Sequence, residues 1–278
     1  MSAIVEEPWG GEDTNRVLKD APHHLTVLVV AGLDPSGGAG LLADTRVVLE
    51  HGFHVAGVAT ALTEQDSQMC SWMHPVDPTI ISNQLARLID DFEIRAVKIG
   101  MLGNAAIARA VATVIKRLRD QSVPIVLDPV LRATRGVPLL EGNPQVALAP
   151  LLPLVTVITP NLDELAWLTG SQLDNLDAVI EAGQNLQARG PRAVLCKGGH
   201  LPGDPVDVLI DDDGVLEIPG KRIEGPTPHG TGCALSSEIV CHLALGTPLR
   251  DAVQKSVLRI RERIAESRNI GRGRPFLG

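Results

Sequence analysis

Between Leu25 and Gly199, short runs of Val, Ile, Leu and Ala alternate with helix-patterned stretches, and this constrains the fold more than any other feature. The runs are LTVLVVAG from Leu25, HVAGVATAL from His54, RAVKIGM from Arg95, PIVLDPV from Pro124, LVTVITP from Leu154 and RAVLCKGG from Arg192. Most are apolar nearly throughout instead of every second residue, the pattern of a strand covered on both faces. Helical stretches near 40–51, 78–91, 104–119, 161–169 and 175–188 separate them. That order predicts βαβ crossovers and an α/β, doubly wound, mainly parallel sheet with helices on both faces. After Gly199 the pattern changes: VDVLI, the turn Asp212-Asp213-Gly214 and VLEIP read as an antiparallel hairpin. Two long helices, near 231–246 and 249–267, complete the expected fold.

Residues 1–24 mix Glu, Gly, Asp, Asn and Lys without periodicity and read as a mobile extension, leaving 25–278 as one domain. The formal charge of −8 argues against nucleic acid as a partner, and 2% aromatics with no tyrosine leaves little to stack on bases. A small-molecule substrate fits better. No apolar run reaches the roughly 18 residues of a membrane helix and the first residues are too polar for a signal peptide, so a cytoplasmic protein without a membrane partner is expected. Cys70, Cys196, Cys233 and Cys241 form no CxxC pair, so free thiols are expected, not disulfides or a zinc site.

In open parallel sheets ligands collect beyond the carboxyl ends of the strands, where GLDPSGGAG, TALTEQD, KIGML, DPVLRATRG, TPNLDE and KGGH lie. His229-Gly230-Thr231-Gly232-Cys233 opens a helix, whose free N–H groups and partial positive charge suit the charge that builds on a transferring phosphoryl group. An ordinary glycine-rich helix start reads the same way. That environment lowers a thiol pKa, which would make Cys233 a base or a polar group beside an acceptor; a buried, inert cysteine is the alternative, and the better one for Cys196 and Cys241. The glycine loop 32–40 is neither a GxxxxGK[ST] P-loop nor a GxGxxG dinucleotide turn. Asn161-x-x-Glu164 can organise hydrated Mg²⁺ or form a capping box. Lys197 can reach a nucleotide phosphate or lie solvated at a strand end.

Together DPSGGAG at 34–40, AD at 43–44, TALTxQ at 60–65, VKIGML at 97–102, DPV at 128–130, TPNLxE at 159–164, KGGHL at 197–201 and HGTGC at 229–233 resemble the hydroxymethylpyrimidine/phosphomethylpyrimidine kinases of the ribokinase-like superfamily. The resemblance implies ATP and Mg²⁺ as cofactors, an aminopyrimidine alcohol and its monophosphate as acceptors in thiamine diphosphate formation, and a homodimer. It implies that Cys233 stands where most of the superfamily carries an aspartate base, with Gly230, Thr231 and Gly232 completing the anion hole. Asn161 and Glu164 would serve the metal and phosphate, with Asp128 helping through water. Gln65 would hydrogen-bond the pyrimidine while Asp44, Met101 and Val130 line its pocket, and Lys197 and Gly199 would belong to the ATP side.

Leu33, Leu42, Asp66 and Pro228 depart from the family pattern and bear on the acceptor more than on the kinase chemistry. Arg132 and Arg135 could attract a phosphorylated acceptor or be solvated surface arginines. Two alternatives stand beside the pyrimidine kinase: a pyridoxal kinase, and a non-catalytic sensor of pyrimidine or nucleotide. A nicotinamide dehydrogenase fits less well, for want of GxGxxG.

Overall fold

In the first strand, β1 (Thr26–Leu33), Leu28 and Val30 point into one apolar layer and Val27, Val29 and Ala31 into another. A strand that is apolar on both faces has to lie inside a sandwich. The computed structural model describes residues 25–133, 136–199 and 203–278, and builds that sandwich around a nine-stranded sheet. The proposed N-terminal extension, Arg135 and the His200-Leu201 end of the KGGHL motif lie outside the described residues.

The strands after β1 are β2 (His54–Gln65), β3 (Cys70–Pro75), β4 (Ile94–Ile99), β5 (Ile125–Leu127), β6 (Val157–Ile158), β7 (Ala193–Cys196), β8 (Val206–Asp211) and β9 (Gly214–Pro219). β2, β1, β4, β5, β6 and β7 run parallel, so the mainly parallel sheet expected from the sequence is what forms. β8 and β9 pair antiparallel, with Asp211 opposite Gly214 across a two-residue loop.

Helices α1 (Gly40–Glu50), α7 (Thr231–Ala244) and α8 (Leu249–Ala265) cover one face of the sheet. The other face carries α2 (Pro78–Asp91), α3 (Ala105–Asp120), α4 (Pro144–Leu148), α5 (Leu162–Thr169) and α6 (Leu176–Gln187). Asp77, Asn104, Asn161 and Asn175 cap α2, α3, α5 and α6 by accepting a backbone N–H of the first turn. Helices α1 and α7 have no such side-chain cap.

Two features were not expected from the sequence. β3 adds an antiparallel edge to β2, in Cys-Ser-Trp-Met-His-Pro, which lacks a run of strong strand formers. Pairing across the sheet edge overrides that weak local preference. The short helix α4 and a 3₁₀ turn at Leu152–Leu154 likewise occupy a stretch too short to show a helical period.

Candidate active site

The parallel strands end at one edge of the sheet, so the loops after β5, β6 and β7 meet there. Lys197, just beyond β7, places its Nζ 3.1 Å from Asp128 Oδ1 and 3.8 Å from Glu164 Oε2. Thr159 Oγ1 donates to the same Asp128 oxygen at 3.2 Å. The first turn of α7 descends onto this group because residue 232 is glycine: a Cβ there would lie 3.2 Å from Lys197 Nζ and 3.6 Å from Asp128 Oδ2.

Gly230 precedes α7 with φ of +80°, a conformation that costs glycine nothing, and any Cβ there would collide with the Gly38 carbonyl. The first N–H bonded within the helix is that of Ala234, donating to Gly230 O at 2.9 Å. The N–H groups of Thr231, Gly232 and Cys233 therefore have no intrahelical acceptor, and no side chain caps them. Such a helix start can receive an anion against bare backbone. The Cys233 thiol lies beside it, half-buried, and is pushed up to about 12 by burial, against the pull of the Lys98 ammonium. The expectation that the helix N-terminus would leave a low-pKa thiol is thus corrected: desolvation outweighs the favourable charge. Cys196 and Cys241 are buried, as expected of inert cysteines.

Asn161 and Glu164 form a reciprocal capping box. Asn161 Oδ1 accepts the Glu164 N–H at 2.9 Å and Glu164 Oε2 accepts the Asn161 N–H at 2.8 Å. The cap does not exhaust the carboxylate. Burial raises Glu164 to about 7, with Lys197 lowering it and Asp128 adding to the rise. Two buried carboxylates facing one ammonium form a hard, oxygen-only donor set that suits Mg²⁺. Among the described residues no group of three His, Cys, Asp or Glu could hold a metal ion. An ion here would complete its shell with water and phosphate oxygens, the usual Mg²⁺ arrangement.

A cleft of about 390 Å³ opens from this point, lined by Lys197, Gly199, Thr231 and Gly232 at its polar end and by Leu235, Val257 and Ile260 farther out. It brings together Lys197 and Gly199, assigned to the ATP side, with Thr231 and Gly232 of the anion hole; Asp128, Gly230 and Cys233 do not line it. Its mixture of apolar wall, cationic side chains and free N–H groups matches the chemistry of a nucleotide.

At the end of β2, strand alternation turns Ala61, Thr63 and Gln65 inward and Leu62 and Glu64 outward. Met101 is buried in a small apolar cluster with Ala61, Cys70, Met73 and Leu139, and Val130 packs against it. Gln65 Nε2 lies 2.9 Å from His229 Nε2 and 3.3 Å from Asp34 Oδ2. His229 Nε2 is also 2.9 Å from Asp34 Oδ2. Burial works against the Asp34 carboxylate, but hydrogen bonds from His229 and Ser36 hold it below the usual range. Asp44 requires a correction: it is 0% exposed, its oxygens taken by Lys98 Nζ at 2.5 Å and Ser237 Oγ at 2.9 Å, so it is buried within the layers and presents no surface to a ligand. Arg132 is exposed and borders a separate hollow of about 380 Å³ beside Trp167.

Three residues were not singled out from the sequence. Asp34 and His229 stand inside quoted motifs without local signs of pairing, and only the fold brings them together. Lys98 had a readable signal, a lone charge within the apolar strand RAVKIGM.

Residues 34–276 match the family model described as phosphomethylpyrimidine kinase. A hydroxymethylpyrimidine/phosphomethylpyrimidine kinase of Aquifex aeolicus is 36% identical over 251 residues, covering 90% of this chain and 98% of the relative. The thiamine biosynthesis bifunctional protein ThiED of Geobacter sulfurreducens is 38% identical over 250 residues; 89% of this chain aligns, spanning about half (51%) of that longer protein. Among solved structures, the ADP complex of Bacillus subtilis pyridoxal kinase superposes with a TM-score of 0.81 at 31% identity, covering 91% of this chain and 96% of that one. With the model matched from the first glycine loop through α7 to the last residues, and an aligned relative covered almost end to end, the chain belongs to the phosphomethylpyrimidine kinase family.

Proposed function

We propose that this protein transfers the γ-phosphoryl group of ATP to the hydroxymethyl group of 4-amino-5-hydroxymethyl-2-methylpyrimidine, and to the monophosphate so formed, in thiamine diphosphate formation. The observation that carries this reading is that the uncapped start of α7 meets both groups: Gly232 approaches Lys197 and Asp128 at the cleft, and His229, next to Gly230, pairs with Gln65. ATP supplies the phosphoryl group and Mg²⁺ neutralises phosphate charge when bound. Lys197 and the lining residue Gly199 hold the phosphates, and Asp128 and Glu164, with Asn161 beside them, hold the ion. The N–H groups of Thr231, Gly232 and Cys233 face the charge that develops in transfer, and Gln65 orients the pyrimidine edge. With a thiol at about 12, Cys233 acts as a polar, proton-holding group beside the acceptor and not as a standing thiolate.

A second reading, pyridoxal phosphorylation, is favoured by the likeness to the B. subtilis pyridoxal kinase. The amide of Gln65 can donate and accept at once against an aminopyrimidine edge, which favours the first. Cytoplasmic residence and a homodimer belong to the same proposal. Leu62 and Trp72 stand exposed on the outward face of the β2–β3 pair, where a second copy would cover them.

The test is ADP release with the pyrimidine alcohol, its monophosphate and pyridoxal as competing acceptors. Gln65→Ala should raise the pyrimidine KM tenfold or more, about 1.4 kcal/mol, with little change for ATP. Preference for pyridoxal in the wild type would overturn the first reading in favour of the second.

A further inference from the structure

Lys98 is the one lysine among the described residues with a fully buried side chain, and the mechanism above gives it no role. It stands near the end of β4, and Gly100 leaves room for its ammonium: a Cβ at 100 would lie 2.8 Å from Nζ. Among the described residues its hydrogen bonding consists of one contact, to Asp44. An ammonium has three donors, and the contact with Asp44 uses one of them. Burying such a charge is costly, and pairing with one carboxylate offsets it only in part.

The placement of α7 shows what the remaining charge faces. Ser237, which donates to the other oxygen of Asp44, is four residues after Cys233 and so lies one turn away on the same face of the helix. The Asp44–Lys98 pair thus lies beneath the face that carries Cys233. Asp44 itself is carried by α1.

We propose that Lys98 is a positioning residue for phosphoryl transfer, its buried ammonium supplying a fixed positive charge beneath Cys233 that favours negative charge on the sulfur and on the attacking acceptor oxygen. Asp44 anchors that ammonium, and the start of α7 adds its own partial positive charge from the other side. A neutral thiol carries no charge of its own, and the lysine supplies part of the electrostatic bias that it lacks. This rests on the kinase reading of Cys233.

The test is a double-mutant cycle of Lys98→Met with Cys233→Ser, read as kcat at saturating ATP and pyrimidine. Lys98→Met should lower kcat about 30-fold in the wild-type background and less than threefold in Cys233→Ser, with both KM values nearly unchanged. Because Lys98→Met leaves Asp44 without its counter-ion and lowers the melting temperature, Lys98→Met/Asp44→Asn is measured beside Asp44→Asn. Its melting temperature should recover while kcat stays low. Iodoacetamide labelling of Cys233 at pH 10 should slow about tenfold in Lys98→Met, a readout independent of turnover. Additive losses across the cycle, or a kcat that recovers with the melting temperature, would overturn the assignment and leave Lys98 a structural counter-ion. A wild type that phosphorylates no pyrimidine alcohol overturns the kinase reading, and this inference with it.

Discussion

Lys197 and Asp128 meet at 3.1 Å, and that contact ties the loop after β7 to the loop after β5 directly beneath Gly232. Asp128 is nearly buried, with its side chain 3% exposed, so the pair is held largely out of water.

Lys197→Met should raise the KM for ATP at least tenfold, about 1.4 kcal/mol, and change that for the pyrimidine little. It also leaves Asp128 and Glu164 without their shared cation, which should destabilise the protein by about 3 kcal/mol. Added Mg²⁺ should restore part of the lost melting temperature, because the ion replaces the missing charge. Thermal melts with and without Mg²⁺ check this, and an unchanged melting temperature in both would separate the carboxylates from the metal.

At Glu164 the cap and the metal role can be separated, since glutamine also serves at the third position of a capping box. Glu164→Gln should keep the melting temperature while shifting the Mg²⁺ requirement upward and lowering turnover. Glu164→Ala should lose both, including about 1 kcal/mol of capping. A Mg²⁺ titration unchanged in Glu164→Gln would leave the carboxylate as a cap alone.

Burial places the Cys233 thiol at about 12, so in the native protein it should alkylate on the order of 10³-fold more slowly near pH 7.5 than an unperturbed cysteine. It should still react first of the four, because the others are buried. Its rate should climb with pH through 10 without a plateau, as followed by mass spectrometry. A plateau near pH 7 would mean that the helix start and Lys98 outweigh desolvation after all. Cys233→Ser should fold normally and lose about 10²-fold in kcat, the scale of a positioned proton-transfer group.

One residue beyond Ser237 on α7, Glu238 accepts a 2.7 Å contact from His51 Nε2, and Arg263 Nη1 lies 3.5 Å away. Burial raises the carboxyl, but the His51 hydrogen bond and the charges of His51 and Arg263 outweigh it and hold Glu238 below its ordinary 4.5. A depressed folded pKa contributes stability that is fully present above the unfolded value and is lost as pH falls through the folded one. Glu238→Gln should therefore cost about 3 kcal/mol at neutral pH, and its deficit should shrink below about pH 4.5. Urea melts of both proteins at pH 7 and pH 4 measure this; a deficit independent of pH would point to packing instead of charge.

Local sequence determined the elements and their layers. Val27 to Ala31 are apolar without interruption, which leaves a strand only the inside of a sandwich, and Asn104, Asn161 and Asn175 mark helix starts by chemistry confined to one turn. The motif order also announced the loops at the carboxyl edge and the family. Tertiary structure decided what lies beyond the reach of one turn or one strand. Asp34 and His229 are 195 positions apart, and Asp44 and Lys98 are 54 apart, so no local pattern records that they pair. Whether Asp44 is open to a ligand or sealed within the layers, and whether the Cys233 thiol is lowered by a helix start or raised by desolvation, depends on how much water the packed layers leave at that one atom. Water access is a property of the assembled layers, and the residue order alone does not contain it.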